Sequence, residues 1–324
     1  MIVRNCQARR GNILRKILVF GGNGFIGSHL VKEFSKDHQV LVADLNKPDV
    51  IEAGNVSYIS CDFVRQNDFS CLLQDVHSVF HLVCTILPED GTAGFEQEIK
   101  NNIFSTMRLL ENMKSSPGQK LYFFSSGGTV YGNSHRLLQK ESDYTLPICK
   151  YGFVKDATEK ILELYRVMHG IPYCAIRLSN PYGAKMRSGQ RQGSIPILVD
   201  SVLNNKEFHL WGDGENIRDY IHIDDVVQAV RSLLNYNGSE NVFNVGSGKG
   251  YAINDVINLL KTAIGHPSYC GIVNKPSRLC DVRRNVLDIS LLSECTGWKP
   301  KISLEEGIQM LIRQLHASGH IFRG

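Results

Sequence analysis

The sequence predicts an α/β fold: a doubly wound parallel sheet followed by a smaller α+β lobe. Three observations carry that reading. Apolar, β-branched runs alternate with helix-period segments through the first half of the chain, the pattern of a parallel sheet covered by helices on both faces. The first of these runs ends in glycines that open a helical segment, FGGNGFIG. Beyond residue 180 the alternation gives way to shorter elements punctuated by Gly and Pro, the mark of turns and a change of architecture.

Taken in order, KILVFGG (16–22) is a strand running into a glycine turn, and SHLVKEF continues it at helical spacing. QVLVADL (39–45), VSYISCDF (56–63) and SVFHLV (78–83) are the second, third and fourth strands. NIFSTMRLLENM has the 3.6-residue period of a helix, KLYFFSS (120–126) is a fifth strand, and YCAIRLSN (173–180) a sixth. The expected division is a basic N-terminal arm over 1–15, a first lobe over 16–180 and a second over 181–324. Segments near 218–235 and 241–260 are expected to return to the first lobe.

Composition narrows the function. With 43% apolar residues in 324, the chain has enough material for a large core. The formal charge of +4 is scattered, with no basic stripe for nucleic acid, so a small-molecule partner is expected. Nine cysteines, widely spaced and without a CxxC pair, predict reduced thiols in a cytoplasmic protein and neither disulfides nor a metal site. Cys149, ahead of KYGFVK, is a candidate pocket-lining residue, although a free cysteine ordinarily serves as a small hydrophobe. The opening MIVRNCQARRGNILRK lacks the apolar run and small-residue cleavage site of a leader. No stretch reaches the roughly twenty apolar residues of a membrane span, and no membrane partner is expected.

Two motifs carry chemistry. Gly21, Gly24 and Gly27 form GxxGxxG between strand and helix, where missing Cβ atoms permit a tight turn, close approach to a pyrophosphate and close helix packing. The helix start, with Phe25 and Ile26, offers free N–H groups to phosphates. Asp44, ending the second strand, stands about twenty residues on, where a carboxylate bonds a ribose and repels a 2′-phosphate. This is a Rossmann-type nucleotide site, and NAD is favoured over NADP, with Lys47 a contrary sign. Asp62 and Phe63, after the third strand, are expected to flank the adenine. The second motif is KYGFVK, in which Tyr151 and Lys155, four apart, share a helix face. Bringing a phenol from pKa 10 towards neutrality takes about 4 kcal/mol of preferential phenolate stabilisation. A lysine ammonium and a cationic nicotinamide ring are opposite charges of the kind that supply it. Tyr151 then serves as a base for a substrate hydroxyl.

The glycine motif, Asp44, SSGGTVYG, Tyr151 with Lys155, RLSNPYG, RDYIHIDD and FNVGSG occur in the order found in extended short-chain dehydrogenases/reductases, and the chain resembles their nucleotide-sugar 4-epimerases from Lys16 to about residue 310. The resemblance implies a homodimeric NAD enzyme that oxidises a UDP-hexose or UDP-N-acetylhexosamine to a 4-keto sugar and reduces it on the other face. In most such epimerases the loop is similar to SSSATVYG; aligned on TVYG, its third serine is replaced here by Gly127. Ser126 and Thr129 are the candidate substitutes that hydrogen-bond the reacting oxygen, with Thr129, on a glycine-loosened turn, favoured. Gly128 and Thr129 stand where related dehydratases and decarboxylases carry acids, which disfavours elimination. By the same resemblance Asn180 and Arg218 contact the diphosphate, Arg278 and Asp281 hold phosphate and uridine ribose, and Asn101 lies near the nicotinamide ribose. Asn285, at a position where a bulky aromatic excludes N-acetyl groups, leaves room for N-acetylhexosamines. His81 and His222 are expected to be structural. The alternatives are a dehydrogenase, reductase or decarboxylase of the same family, or an NAD-binding regulatory protein without turnover.

Overall fold

The computed structural model describes residues 14–45, 54–86, 94–183, 193–204, 206–264, 271–278 and 281–317; Lys47, Cys6, Cys270, Cys280 and most of the expected N-terminal arm lie outside them. The first lobe begins β1 (Lys16–Phe20), α1 (Phe25–Phe34), β2 (Gln39–Asp44), β3 (Val56–Ser60), α2 (Ser70–Leu73) and β4 (Val76–His81). There follow α3 (Phe95–Glu98), a π-helical turn (Ile99–Phe104), α4 (Ser105–Met113), β5 (Lys120–Ser126), α5 (Lys150–His169) and β6 (Tyr173–Leu178). The later chain forms β7 (Asn180–Tyr182), α6 (Ser194–Leu203), β8 (Phe208–Trp211), β9 (Ile217–His222), α7 (Ile223–Leu234) and β10 (Val242–Val245). It ends with β11 (Gly250–Ala252), α8 (Ile253–Ile264), β12 (Ile272–Lys275), β13 (Arg284–Asn285), α9 (Ser290–Thr296) and α10 (Leu304–Ala317).

Seven parallel strands in the order β10-β6-β5-β4-β1-β2-β3 make the main sheet. Alternate residues of β1 feed the two faces: Ile17 and Val19 pack with α1 and α7, and Leu18 and Phe20 with α4 and α5. This two-sided burial explains why the strand reads as a continuous apolar run. The order reverses between β1 and β4, so a crevice opens at their carboxyl ends, the place where open α/β sheets bind ligands.

A second core of Leu198, Val199, Val202, Ile257, Leu260, Ile308 and Leu311 joins α6, α8 and α10 beside β8 and β9. Here the expected boundary needs correction. Of the segments near 218–235 and 241–260, α7 and β10 belong to the first lobe, whereas β11 and α8 stay with the second. The reason lies in β9, which pairs with β7, β11 and β13 and not with the main sheet. It runs along the seam, sending Tyr220 into the second core and Ile221 into the first.

Candidate active site

The glycine turn is built for close approach. Gly21 has φ +79°, and a Cβ on Gly27 would lie 2.3 Å from the Gly21 carbonyl oxygen and 2.7 Å from Gly22 Cα. Gly22, inside the motif but outside its GxxGxxG spacing, is equally constrained, since its Cβ would meet Val42 at 2.6 Å. Helix α1 follows Gly24, its N-cap, with no side-chain cap and no acid in its first turn, so the N–H groups of Phe25, Ile26 and Gly27 face the crevice with no competing anion from their own helix. This uncapped cradle, which any side chain would fill, fits the pyrophosphate of a dinucleotide. Asp44 Oδ2 accepts the Asn23 N–H at 3.0 Å and Oδ1 that of Leu45 at 2.8 Å, holding the carboxylate at the β2 tip beside the turn. Asp62 caps the next turn through the N–H groups of Val64 and Arg65. Phe63 departs from expectation: its ring is buried among Phe20, Phe69 and His81, in the core and not free to flank an adenine.

Across the crevice, β5 ends at Ser126 and α5 begins one residue before Tyr151. The start of α5 is capped by Cys149 Sγ, which accepts the Gly152 N–H at 3.3 Å. Gly152 is required there, because a Cβ would come within 2.8 Å of the Thr129 carbonyl. The Ser126 hydroxyl neighbours the Tyr151 phenol. Burial pushes that phenol well above its ordinary pKa; Cys84 and Cys149 nearby push the same way, and Ser126 opposes them. Lys155 is 4% exposed, donates to the Phe124 carbonyl at 2.7 Å and lies 5.6 Å from the centre of the Tyr151 ring. The Thr129 hydroxyl is buried without a hydrogen-bond partner. Of the two candidate hydroxyls, Ser126 is the one beside the Tyr151 phenol.

Gly127 has its own cause. A Cβ at this position would lie 2.6 Å from Leu287 Cδ1 and 2.9 Å from the Arg177 carbonyl, so the second lobe occupies the space a side chain would need. Gly128, by contrast, has nothing nearer its Cβ position than Asn180 Nδ2 and Ser126 Oγ, both at 3.9 Å. It leaves the floor of the cleft open between those two polar groups. Asn285 is fully buried and donates Nδ2 to the Gly127 carbonyl at 2.8 Å, while its Oδ1 has no partner.

At the outer end, β13 runs parallel beside β9 and brings Asn285 opposite Arg218. Burial lowers the Arg218 pKa, with Tyr220 and Asp281 opposing it. Arg278 stacks 4.0 Å from the centre of the Trp211 ring, which is 37% exposed. Trp211 was not singled out from sequence; its place between an alternating strand and a glycine turn is the available signal. Asn180 donates Nδ2 to the Asp219 carbonyl at 3.0 Å.

Asn101 is half-buried and its Oδ1 accepts the Gln97 side-chain amide at 2.7 Å. The inward amide is Asn102, which accepts the Thr85 N–H at 3.0 Å and donates to Thr85 Oγ1 at 2.9 Å. It shares the buried face of Thr106, Leu109 and Met113, so helical phase alone distinguishes it from its neighbour. His81 Nε2 donates to Thr106 Oγ1 at 2.9 Å, the threonine hydroxyl in turn donating a hydrogen bond to the Asn102 carbonyl. Burial, and then the Lys155 charge, lower its pKa to about 3, so it is a neutral packing residue. His222 caps α7 through the Asp224 N–H. Among the described residues no cluster of His, Cys, Asp or Glu is arranged to hold a metal ion, and no helix is long and apolar enough to cross a membrane.

The family model described as NAD dependent epimerase/dehydratase family matches residues 17–246. A Methanocaldococcus jannaschii protein named for UDP-glucose 4-epimerase activity is 33% identical over 91% of this chain and 97% of its own. The Escherichia coli dTDP-4-dehydro-6-deoxyglucose reductase is 30% identical over 92% and 97%. The crystal structure of UDP-glucose 4-epimerase with UDP-glucose from Thermotoga maritima superposes with a TM-score of 0.85 at 32% identity, covering 94% of this chain and 99% of that one.

Proposed function

Because the chain belongs to the NAD-dependent epimerase/dehydratase family, we propose that it is an NAD-dependent nucleotide-sugar 4-epimerase acting on a UDP-hexose or UDP-N-acetylhexosamine. The observation that carries this reading is the Ser126, Tyr151 and Lys155 group at the end of β5, facing the glycine cradle across the switch point. When bound there, NAD supplies reversible acceptance of a hydride equivalent.

The side chains supply the rest. Tyr151 takes the proton of the sugar O4 as C4 is oxidised to the ketone, and returns it when C4 is reduced on its other face. Ser126 bonds both the phenol and the reacting oxygen, fixing the line along which the proton moves. The phenol of the ligand-free site is held protonated by burial, so positive charge near it is what frees the base. Lys155, anchored on the Phe124 carbonyl, supplies part of that charge, and a bound cationic nicotinamide the remainder. Asp44 selects an unphosphorylated adenosine ribose, Asn101 the nicotinamide ribose, and Arg218 and Asn180 the diphosphate. Arg278 and Asp281 hold the nucleoside, with the exposed face of Trp211 offering a stacking surface for the base. The exposed apolar stripe Phe153, Leu164 and Met168 on α5 supports a homodimer, and the free thiols of the described cysteines support a reducing, cytoplasmic setting.

A second reading, reduction of a nucleotide-linked 4-keto sugar, is favoured by the similarity to the E. coli reductase. One experiment separates the two. The purified protein is incubated with UDP-glucose, UDP-N-acetylglucosamine or UDP-glucuronate and trace NAD and, in a separate arm, with a nucleotide-linked 4-keto sugar and stoichiometric reduced cofactor, with Tyr151→Phe as control. Formation of the C4 epimer without stoichiometric NAD, absent in the control, supports the epimerase. Turnover only of a 4-keto sugar with matching consumption of reduced cofactor supports the reductase, and NAD binding without any turnover sinks both.

A further inference from the structure

One buried network lies outside the reaction just described. Glu159 follows Lys155 by four residues and Tyr151 by eight, so all three share one face of α5. Its carboxylate grips Arg177 of β6 in a two-pronged pair, Nη2 to Oε2 at 2.7 Å and Nε to Oε2 at 3.0 Å, with both side chains below one-tenth exposed. Glu159 also accepts the hydroxyl of Ser125, the residue before Ser126. From the other side of the guanidinium, Nη1 donates to the Tyr131 hydroxyl at 3.0 Å and to the Glu141 carbonyl at 3.1 Å. Tyr131 in turn donates to Asn244 Oδ1 at 2.7 Å. Asn244 donates Nδ2 to the carbonyls of Gln139 and Asp288 and its N–H to the Glu141 carboxylate.

Ser125 and Tyr131 bracket the turn 126–130. We propose that the Glu159–Arg177 pair is a positioning device that clamps both ends of this turn and thereby sets the Ser126 hydroxyl against Tyr151. A buried ion pair is not an economical route to stability, since well-packed apolar residues of the same volume often serve as well or better. What it supplies is direction: the planar guanidinium bonds in fixed, divergent lines, one prong towards α5 and the other towards the far end of the turn. Gly127 and Gly128 leave the turn permissive; the Thr129 and Val130 N–H bonds to the Ser126 carbonyl and the Gly127 N–H bond to the Leu178 carbonyl fix its backbone in part, and the clamp at its ends adds to them. The Asn285 bond to the Gly127 carbonyl adds a tie at its middle. This inference rests on the Tyr151 and Ser126 roles proposed above.

The test uses Tyr131→Phe, which keeps the ring and removes both bonds, and the double variant Glu159→Gln/Arg177→Met, which removes both charges together and leaves no lone buried ion. Melting temperature, NAD binding, kcat, KM and hydrogen exchange of the peptide covering 124–132 are measured on the NAD-loaded protein. The expected result for the double variant is a folded, NAD-binding protein with KM unchanged. Its kcat is lower by about a hundredfold, the loss that a misplacement of about 1 Å produces, and exchange in 124–132 is faster while the rest of the chain is unaltered. Tyr131→Phe should show the same pattern more weakly. Wild-type kcat and wild-type exchange in a double variant that still folds overturn the proposal, as does uniformly faster exchange throughout the chain. If the wild-type protein turns over no nucleotide sugar, the functional reading fails, and the exchange measurement still judges the clamp.

Discussion

Replacing Gly127 by serine restores the hydroxyl found in the SSSATVYG pattern, and the structure predicts damage where a simple comparison of motifs predicts gain. The new Cβ would stand 2.6 Å from Leu287 Cδ1, 3.0 Å from Cδ2 and 2.9 Å from the Arg177 carbonyl. Leu287 is fully buried against Val130 and Tyr131, and the Arg177 carbonyl belongs to β6, so neither yields freely. Overpacking of this kind costs about 1–3 kcal/mol. With 324 residues and an unfolding entropy of about 2.1 cal/mol/K per residue, the total is about 0.7 kcal/mol/K, so each kcal/mol lowers the melting temperature by about 1.5 °C. The expected shift is about 1.5–4.5 °C downwards, with kcat reduced, read by scanning calorimetry and the epimer assay. Leu287→Ala, costing about 2–5 kcal/mol alone, opens the space the serine needs. The double variant should therefore lose less than the sum of the two, a coupling of about 0.5–3 kcal/mol. A Gly127→Ser protein that melts like wild type and turns over faster would refute the reasoning, and with it the assignment of the reactive hydroxyl to Ser126.

Three further outcomes are expected. Ser126→Ala should lower kcat by about 10²–10³, the effect of removing one preorganised donor, whereas Thr129→Val, which deletes a buried hydroxyl with no partner, should leave kcat near wild type and stability equal or higher; equal losses at both positions would contradict the proposed choice of Ser126. Gly27→Ala forces a Cβ to within 2.3 Å of the Gly21 oxygen and should weaken NAD binding by about tenfold or more, about 1.4 kcal/mol, by titration calorimetry. His81 has its pKa lowered from 6.5 to about 3 by burial. Below pH 6.5 the unfolded chain therefore binds the extra proton, and stability falls as pH drops through the window from 6.5 towards 3, at up to about 1.4 kcal/mol per pH unit. His81→Gln should remove that part of the slope in denaturant titrations at pH 6.5 and 5, and an unchanged slope would show that other groups carry it.

Periodicity made the first lobe legible. The strands, the glycine turn and the Tyr151–Lys155 face follow from spacing alone, because each is specified by residues within one turn or one strand of one another. What escaped was set by phase or by distant chain. Of the neighbours Asn101 and Asn102 on the π-helical turn, only the buried face of Thr106, Leu109 and Met113 shows which amide packs inward. Phe63 reads as a strand-end aromatic, yet the inward register of its neighbours Phe20 and Phe69 takes it into the core. The boundary near 218–260 was blurred because β9 serves both cores through successive residues.

Gly127 is the strongest case of the same limit, since the reason for it lies 160 residues away at Leu287. Its consequence for catalysis follows from where the two candidate hydroxyls sit. Ser126 is the last residue of β5 and is held in register against Leu178 of β6, so its side chain is aimed by the sheet of the first lobe. A hydroxyl at 127 would instead be aimed by its packing against Leu287, and any shift of the second lobe on nucleotide binding would move it. Reactive groups on strands are placed more accurately than those on loops, and Tyr151 and Lys155 stand on α5, which packs on the same sheet. Placing the hydroxyl at 126 therefore keeps all three proposed reacting groups within one lobe, while the second lobe, through Asn285 and Leu287, packs on the turn beside them.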